Sequence, residues 1–206
     1  MIATGTSAQL YLASGNSGKL REFRALATEA HSSVELDLLP QYAALPEFLE
    51  TAPTFAENAA GKALYYSRAC TDRVFSDDSG LVVPALGGEP GVHSARYAGV
   101  GASNDQRIAR LLAAMRGKKG EERCAYFVCV IAVAQMGHVL AVVSEKVDGE
   151  ILESPRGGGG FGYDPVFYFP ALGKTFAELP AEEKNARSHR GKAFRRLLEA
   201  LGSKGE

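Results

Sequence analysis

The stretch Arg73-Val74-Phe75-Ser76-Asp77-Asp78-Ser79-Gly80-Leu81-Val82-Val83 decides how this chain folds. Arg73 to Phe75 reads as a strand and Leu81-Val82-Val83 as an apolar continuation, with the two aspartates in a strand-to-strand turn between them. Like charges that close raise each other's pKa unless a cation or hydrogen-bond donors offset them. A divalent metal holding phosphate oxygens is one such offset. Asp-Ser-Gly is also ordinary turn chemistry, so the run alone leaves an acidic turn and a metal site both open.

Toward the N-terminus, Gln9 to Ala13 reads as a strand, and Ser14-Gly15-Asn16-Ser17-Gly18-Lys19 as a loop. Leu20, Phe23, Leu26 and Ala27 then recur at helical spacing, which predicts a helix over Leu20 to Ala30. Val34 to Leu39 is a second strand and Pro40 to Pro53 a loop. Thr54-Phe55-Ala56-Glu57 has the form of a capping box opening a helix that runs to about Cys70. Toward the C-terminus, Leu86 to Gly101 is a long glycine-rich loop, and Ser103-Asn104-Asp105-Gln106 caps a helix with Ile108, Leu111, Leu112 and Met115 on its apolar face. Arg123 to Gln135 and His138 to Gly149 are β-rich runs joined at Met136-Gly137, as in a hairpin. A last helix spans about Ser188 to Leu201. The order β-α-β-α-β-β-α-β-β-α is α/β: a mixed twisted sheet with flanking helices rather than strict βαβ repetition. One domain over residues 1–206 is expected, with 1–8 a disordered lead-in and no signal peptide.

The net charge is −1, which argues against a nucleic-acid polymer as partner. No apolar run reaches the roughly 18 residues of a membrane span. Cys70, Cys124 and Cys129 are odd in number and lack metal-ligand spacing, so buried thiols in a reducing cytoplasm are expected, with Cys124 and Cys129 on opposite faces of one strand.

Four constellations carry chemistry. Ser14 to Lys19 joins a strand to a helix, where free backbone N–H groups and the helix end favour phosphate and Lys19 adds a charge; Leu20 stands where a Walker A loop has Ser or Thr, so it is not one. Glu47 and Glu50 precede the capped helix that carries Lys62, and these acids would complete an oxygen shell for Mg²⁺. In Gly157 to Pro165, Phe161 and Tyr163 flank Gly162, one ring is placed to stack on a base, and Asp164 is an acceptor for base or ribose. Lys184 to Arg190 offers anion contacts, with His189 as donor or acceptor. His31, His93 and His138 lack zinc spacing. Together these describe a site for a metal-bound nucleotide.

With these motifs in order, the chain resembles the inosine triphosphate pyrophosphatase family, hydrolases of non-standard purine nucleoside triphosphates. The matching stretches are Leu12 to Lys19, Glu50-Thr51 with Thr54 to Ala59, Ser76 to Leu81, Leu86-Gly87-Gly88 through Pro90-Gly91 to Ser94-Ala95-Arg96-Tyr97, Gly159 to Pro165, and Lys174-Thr175 through Glu182-Glu183-Lys184 to Ser188-His189-Arg190-Gly191. The resemblance implies an elongated, two-lobed fold with a central cleft and a cytoplasmic homodimer. It also implies Mg²⁺-dependent hydrolysis of ITP, dITP and XTP to the monophosphate and pyrophosphate. By motif, Ser14, Gly15, Asn16, Ser17, Gly18 and Lys19 would hold phosphates, with Lys62 close by. Asp78 would bind Mg²⁺ and act as base, Asp77 is a less certain neighbour, and Ser79 would touch substrate. Phe161, Gly162, Tyr163, Asp164, Lys184, His189 and Arg190 would hold the base and its surroundings. Ser14 stands where the family often has Thr. Ala52-Pro53 replaces the usual Gly-x, which leaves the outer metal ligand open between Glu47 and Glu50. A pyrophosphatase for other modified nucleotides, and a nucleotide sensor without turnover, are the alternatives.

Overall fold

A computed structural model describes residues 9–202, so the lead-in expected at 1–8 lies outside the described residues. The elements are β1 (Gln9–Leu12), α1 (Ser17–Glu29), β2 (Glu35–Leu38), α2 (Phe55–Tyr66), β3 (Arg73–Val82), α3 (Asn104–Ala114), β4 (Cys124–Gln135), β5 (His138–Ile151), β6 (Phe167–Phe169), β7 (Lys174–Thr175), α4 (Ala181–Arg187) and α5 (His189–Gly202). The strands form a mixed seven-stranded sheet in the order β2-β1-β3-β4-β5-β6-β7. β1 pairs in parallel with both β2 and β3, whereas β6 is antiparallel to β5 and β7. The α/β class read from the element order is therefore met.

One local expectation is corrected, and three short elements lie outside the expected order. Arg73 to Val82 is one continuous strand, so the aspartates stand mid-strand and not in a turn. The strand continues because its polar side chains find partners on either side: Ser76 Oγ donates to the Ala59 carbonyl at 2.6 Å, and Asp77 pairs with Lys19. β6 and β7 have three and two residues, too few to show a period. The last helix stands where it is expected, as α5, opened by Ser188 Oγ, which accepts the Gly191 N–H at 3.1 Å; α4, which ends at Arg187, is an additional short helix before it. The hairpin at Met136-Gly137 is present, with φ of 48° and 81°, the left-handed pair a type I′ turn requires. None of the cysteines is in a disulfide; Cys129 is buried, but Cys124 is exposed and Cys70 half-buried, so only one thiol meets the expectation of burial.

By contacts the chain divides into two compact units. Of the described residues, unit 1 comprises those up to Asp78, Val130–Ser144 and those from Ala193 onward; unit 2 comprises Ser79–Cys129 and Glu145–Lys192. In unit 1, Phe75 on β3 meets Phe23 of α1 edge-on at 5.2 Å between ring centroids, and Phe194 of α5 packs against Phe23 at 5.1 Å. Val74, the residue before Phe75, lies with Ala13, Leu39 and Tyr66 in a separate cluster. The period-two alternation of a strand thus distributes β3 over two faces. In unit 2, Ile108 and Leu111 of α3, with Met115 just after it, pack with Leu81, Phe127, Phe167 and Phe176.

Arg123 ties unit 2 together. Its guanidinium donates to the carbonyls of Ile151 (2.5 Å), Leu152 (2.8 Å), Lys118 (3.2 Å) and Met115 (3.4 Å). Lysine cannot reproduce that planar fork. Arg123→Lys is expected to lower stability by about 2–4 kcal/mol through unsatisfied carbonyls, read as a lower midpoint in urea unfolding. An unchanged midpoint would remove Arg123 from the scaffold.

Candidate active site

Unit 1 assembles a lysine–carboxylate cluster. β3 directs Asp77 to the side of Phe75 and α1, and Asp78 to the side of Val74, Ser76 and α2. The two acids therefore have different surroundings. Asp77 Oδ1 accepts from Lys19 Nζ at 2.8 Å, and the Asp77 side chain is 1% exposed. A carboxylate so buried needs a cation, and Lys19 supplies one from the first turn of α1.

The loop before α1 holds itself in shape. Asn16 Oδ1 accepts the N–H groups of Gly18 (2.8 Å) and Lys19 (3.3 Å), while the Asn16 N–H donates to Ser14 Oγ at 3.1 Å. A Cβ on Gly18 would stand 2.9 Å from Asn16 Oδ1, which accounts for glycine there. The expectation of free amides along Ser14 to Lys19 is amended, since three of them already have side-chain acceptors. Gly15, Asn16 and Ser17 are exposed and Ser14 is buried.

Asp78 is the strained member of the cluster. Its Oδ2 is buried and has no hydrogen-bond partner among the described residues. Burial first, then the charge of Glu50 and of Asp77, pushes its pKa up to about 6, against the lowering effect of a hydrogen bond from Asn58 and of the Lys19 charge. Glu50 Oε1 accepts from Lys62 Nζ at 2.6 Å. Burial opposes the Lys62 ammonium, but Glu50, Asp77 and Asp78 outweigh it and raise its pKa. Glu47 is exposed; its charge acts on Tyr42, whose pKa is raised by burial, by Tyr66 and by both glutamates. Glu50 thus joins the Asp78 cluster, whereas Glu47 is absent from the charges that act on Asp78 and Lys62.

With every group ionised, Lys19 and Lys62 face Glu50, Asp77 and Asp78, an excess of one negative charge. No group of three or more metal-ligating side chains occurs among the described residues. The buried, unbonded Asp78 Oδ2 beside Glu50 nevertheless suits a hard divalent cation, which takes one or two carboxylates and fills its shell with water and phosphate oxygens.

Unit 2 builds a different surface. Asp164 is buried; its Oδ2 accepts the Phe161 N–H at 2.7 Å and Lys184 Nζ at 2.5 Å. Phe161 is 50% exposed, with Lys184 Nζ 4.3 Å and the Arg190 guanidinium 5.3 Å from its ring centre. Arg190 also donates to Ser79 Oγ at 3.2 Å. Gly160 (φ 71°) leaves no room for a side chain: a Cβ would stand 2.1 Å from Asp164 Oδ2. Gly162 has φ 63°. Tyr163 belongs to the core, with its hydroxyl donating to the Ser94 carbonyl at 2.9 Å, so Phe161 is the ring left at the surface. His189 is stacked 4.7 Å from Phe127.

Asn58 carried no special weight in the sequence reading. The signal for it is a polar residue on the buried face of α2, beside Ala59 and one turn before Lys62.

Fold and site together define an α/β protein with a carboxylate–lysine cluster in one unit and a cation-flanked aromatic in the other. The Ham1 family profile matches residues 10–200. A dITP/XTP pyrophosphatase of Geobacillus kaustophilus is 51% identical over 96% of this chain and 98% of its own length. One from Gloeobacter violaceus is 50% identical over 92% of each. The solved HAM1 protein of Coxiella burnetii superposes with a TM-score of 0.85 at 40% identity, covering 95% of this chain and 99% of that one. The chain belongs to the Ham1 family, and the resemblance carried by its motifs is borne out.

Proposed function

We propose that this protein is a metal-dependent nucleoside triphosphate pyrophosphatase that hydrolyses ITP, dITP and XTP to monophosphate and pyrophosphate, removing them from the nucleotide pool. The naming of its relatives as dITP/XTP pyrophosphatases supports the substrate class. The observation that carries the chemistry is Asp78, whose buried Oδ2 lacks a partner beside Glu50.

In this reading Asp78 and Glu50 hold the metal, with Mg²⁺ the proposed ion because the donors are carboxylate oxygens. A bound divalent cation supplies charge neutralisation at the phosphates. Lys19 and Lys62 turn part of their charge to the same oxygens, and Ser14 to Gly18 shape the loop around them. Asp78 takes the proton of the attacking water as the α–β anhydride opens. Phe161 stacks on the purine, held by Lys184 and Arg190, while Asp164 fixes the loop from beneath. Ser79, Gly162 and His189 complete the base and ribose contacts, and Tyr163 anchors the loop to the core.

A single functional domain is part of the proposal. The chain passes between the units within β3, β4, β5 and α5 rather than through linkers. A homodimer and a cytoplasmic place follow the family resemblance. No described helix is long and apolar enough to cross a membrane.

The test is pyrophosphate release from ITP, XTP, dITP and ATP, with Mg²⁺ and with chelator. Metal-dependent turnover is expected, with kcat/KM for ITP and XTP at least about a hundredfold above ATP, since a buried polar site rejects mismatched base edges strongly. Equal turnover of ATP and ITP would overturn the specificity. Preference for another modified nucleotide would point to the related pyrophosphatase, and tight binding without product to a sensor.

A further inference from the structure

We infer that Thr175 and Glu178 form a latch on the glycine-rich loop that carries Phe161, and that Thr175 is thereby a positioning residue for base recognition. The inference rests on the reading of Phe161 as the ring that stacks on the purine.

Every residue from Gly157 to Gly162 except Phe161 is a glycine. A free chain of that composition spreads over many conformations, and ordering it would consume the energy of stacking on a base. Here one short segment grips the loop at its start, middle and end. At the start, Thr175 Oγ1 donates to the Arg156 carbonyl at 2.8 Å. In the middle, the Gly159 N–H donates to the Ala177 carbonyl at 3.0 Å, and at the end the Ala177 N–H donates to the Asp164 carbonyl at 3.3 Å. A Cβ on Gly157 would stand 2.6 Å from the Ala177 carbonyl, and one on Gly159 3.0 Å from its oxygen, so both glycines are required by the segment they lie on. Phe161 falls between the second anchor and the third, and Asp164, at the third, holds the Phe161 N–H with its carboxylate. The gripping segment is itself fixed. Thr175 and Phe176 are fully buried. The Thr175 N–H donates to Glu178 Oε2 at 2.7 Å, and Thr175 Oγ1 accepts the Glu178 N–H in return. Glu178 Oε2 also lies 3.5 Å from the Arg156 guanidinium, while the Arg156 N–H donates to the Pro165 carbonyl at 2.8 Å and closes the base of the loop.

One alternative is a cap and nothing more, since Thr175 and Glu178 form a capping box on the short turn at 176–178. A cap uses the hydroxyl only as an acceptor. The proton that the same hydroxyl gives to Arg156, 19 positions away, is not needed for capping and goes to the loop. A second alternative is a loop kept open for close approach of a ligand. That suits Gly158, whose Cβ would meet nothing within 4 Å, but not Gly157 or Gly159, whose Cβ atoms would meet Ala177.

The test is Thr175→Val, which keeps the shape and loses the hydroxyl, with Thr175→Ser as the conservative variant that restores it. Glu178→Ala breaks the latch from its partly exposed side. Ser67→Ala is the control: Ser67 is fully buried, and its hydroxyl donates to the Leu64 carbonyl and accepts the Gly137 N–H, away from the loop. Well below its melting temperature, Thr175→Val is expected to raise KM for ITP about tenfold and to lower kcat by less than about twofold. Glu178→Ala should move KM the same way by about threefold, and Thr175→Ser should stay within about twofold of wild type. Ser67→Ala is expected to lower the melting temperature and leave KM unchanged. In wild type, the Gly159 and Phe161 amides should exchange with deuterium about tenfold or more slower than that of Gly158, a measurement that needs no variant to fold. Should Thr175→Val not fold, Glu178→Ala decides in its place. A wild-type KM in the deciding variant, a loss carried by kcat instead, an equal rise of KM in Ser67→Ala, or Gly159 exchanging as fast as Gly158 overturns the inference while the proposed function stands. Wild type that releases no pyrophosphate from ITP overturns the function itself.

Discussion

Replacing Asp78 with Asn is expected to lower turnover of ITP by about a thousandfold or more while making the metal-free protein more stable at pH 8. Both effects come from one carboxyl. Asn cannot take a proton from water and is a poor ligand for a hard cation. Burial and then Glu50 raise the folded-state pKa of Asp78 from 3.8 to about 6. The folded protein therefore holds this proton more tightly than the unfolded chain does. That contribution is fully present below about pH 4 and is lost as pH rises through about 6. At pH 8 the ionised Asp78 costs up to about 3 kcal/mol, a cost that Asn removes. At this chain length the gain corresponds to a melting temperature higher by roughly 4–10 °C, narrowing to nothing near pH 4. The check is thermal unfolding of both proteins in chelator at pH 4, 6 and 8, alongside pyrophosphate release. Near wild-type turnover would take Asp78 out of the reaction. Equal melting temperatures at pH 8 would show that its carboxyl is not held under strain.

Much of this was legible in the sequence, and the parts that were not have physical causes. The helix starts at Thr54 and Ser103 could be read because capping is local; Ser103 and Gln106 form the reciprocal box, whereas Thr54 Oγ1 both accepts the Glu57 N–H and donates to its carboxylate. α1 starts three residues before its apolar stripe because Asn16 caps it, a signal masked by the glycines around it. The aspartates were misplaced into a turn because Asp and Gly usually break strands. Only Lys19, brought by α1, makes the buried Asp77 tolerable mid-strand, and that contact spans 58 positions in sequence. The same long-range placement puts Glu50, and not Glu47, among the charges that act on Asp78 and Lys62. Tyr163 and Phe161 are likewise equal as letters; that one is core and the other surface depends on a hydrogen bond to Ser94, 69 residues away.

The glycine-rich loop offers the other large effect, because two of its glycines make opposite demands. Gly160→Ala is expected to destabilise the protein by about 3–5 kcal/mol, in the range for a buried ion pair broken from one side, and to raise KM for ITP far more than it lowers kcat. The added methyl would sit 2.1 Å from Asp164 Oδ2, at a backbone φ of 71° that disfavours any side chain. That oxygen holds both the Phe161 N–H and the Lys184 ammonium, so moving it releases the loop and leaves a buried lysine without its carboxylate. Phe161 then loses its fixed position between Lys184 and Arg190, which is the feature assigned to the base. Gly158→Ala is the control: no atom lies within 4 Å of its Cβ and its φ is outside the left-handed region, so its stability should stay within about 0.5 kcal/mol of wild type. Denaturant midpoints and steady-state kinetics on the pair decide the matter. If both substitutions behave alike, the loop is a flexible connection, and the Asp164–Lys184 pair does not hold Phe161 in place. If only Gly160→Ala fails and its kcat survives at saturating ITP, base recognition and bond cleavage are separable along the chain, with cleavage left to the Asp78 cluster.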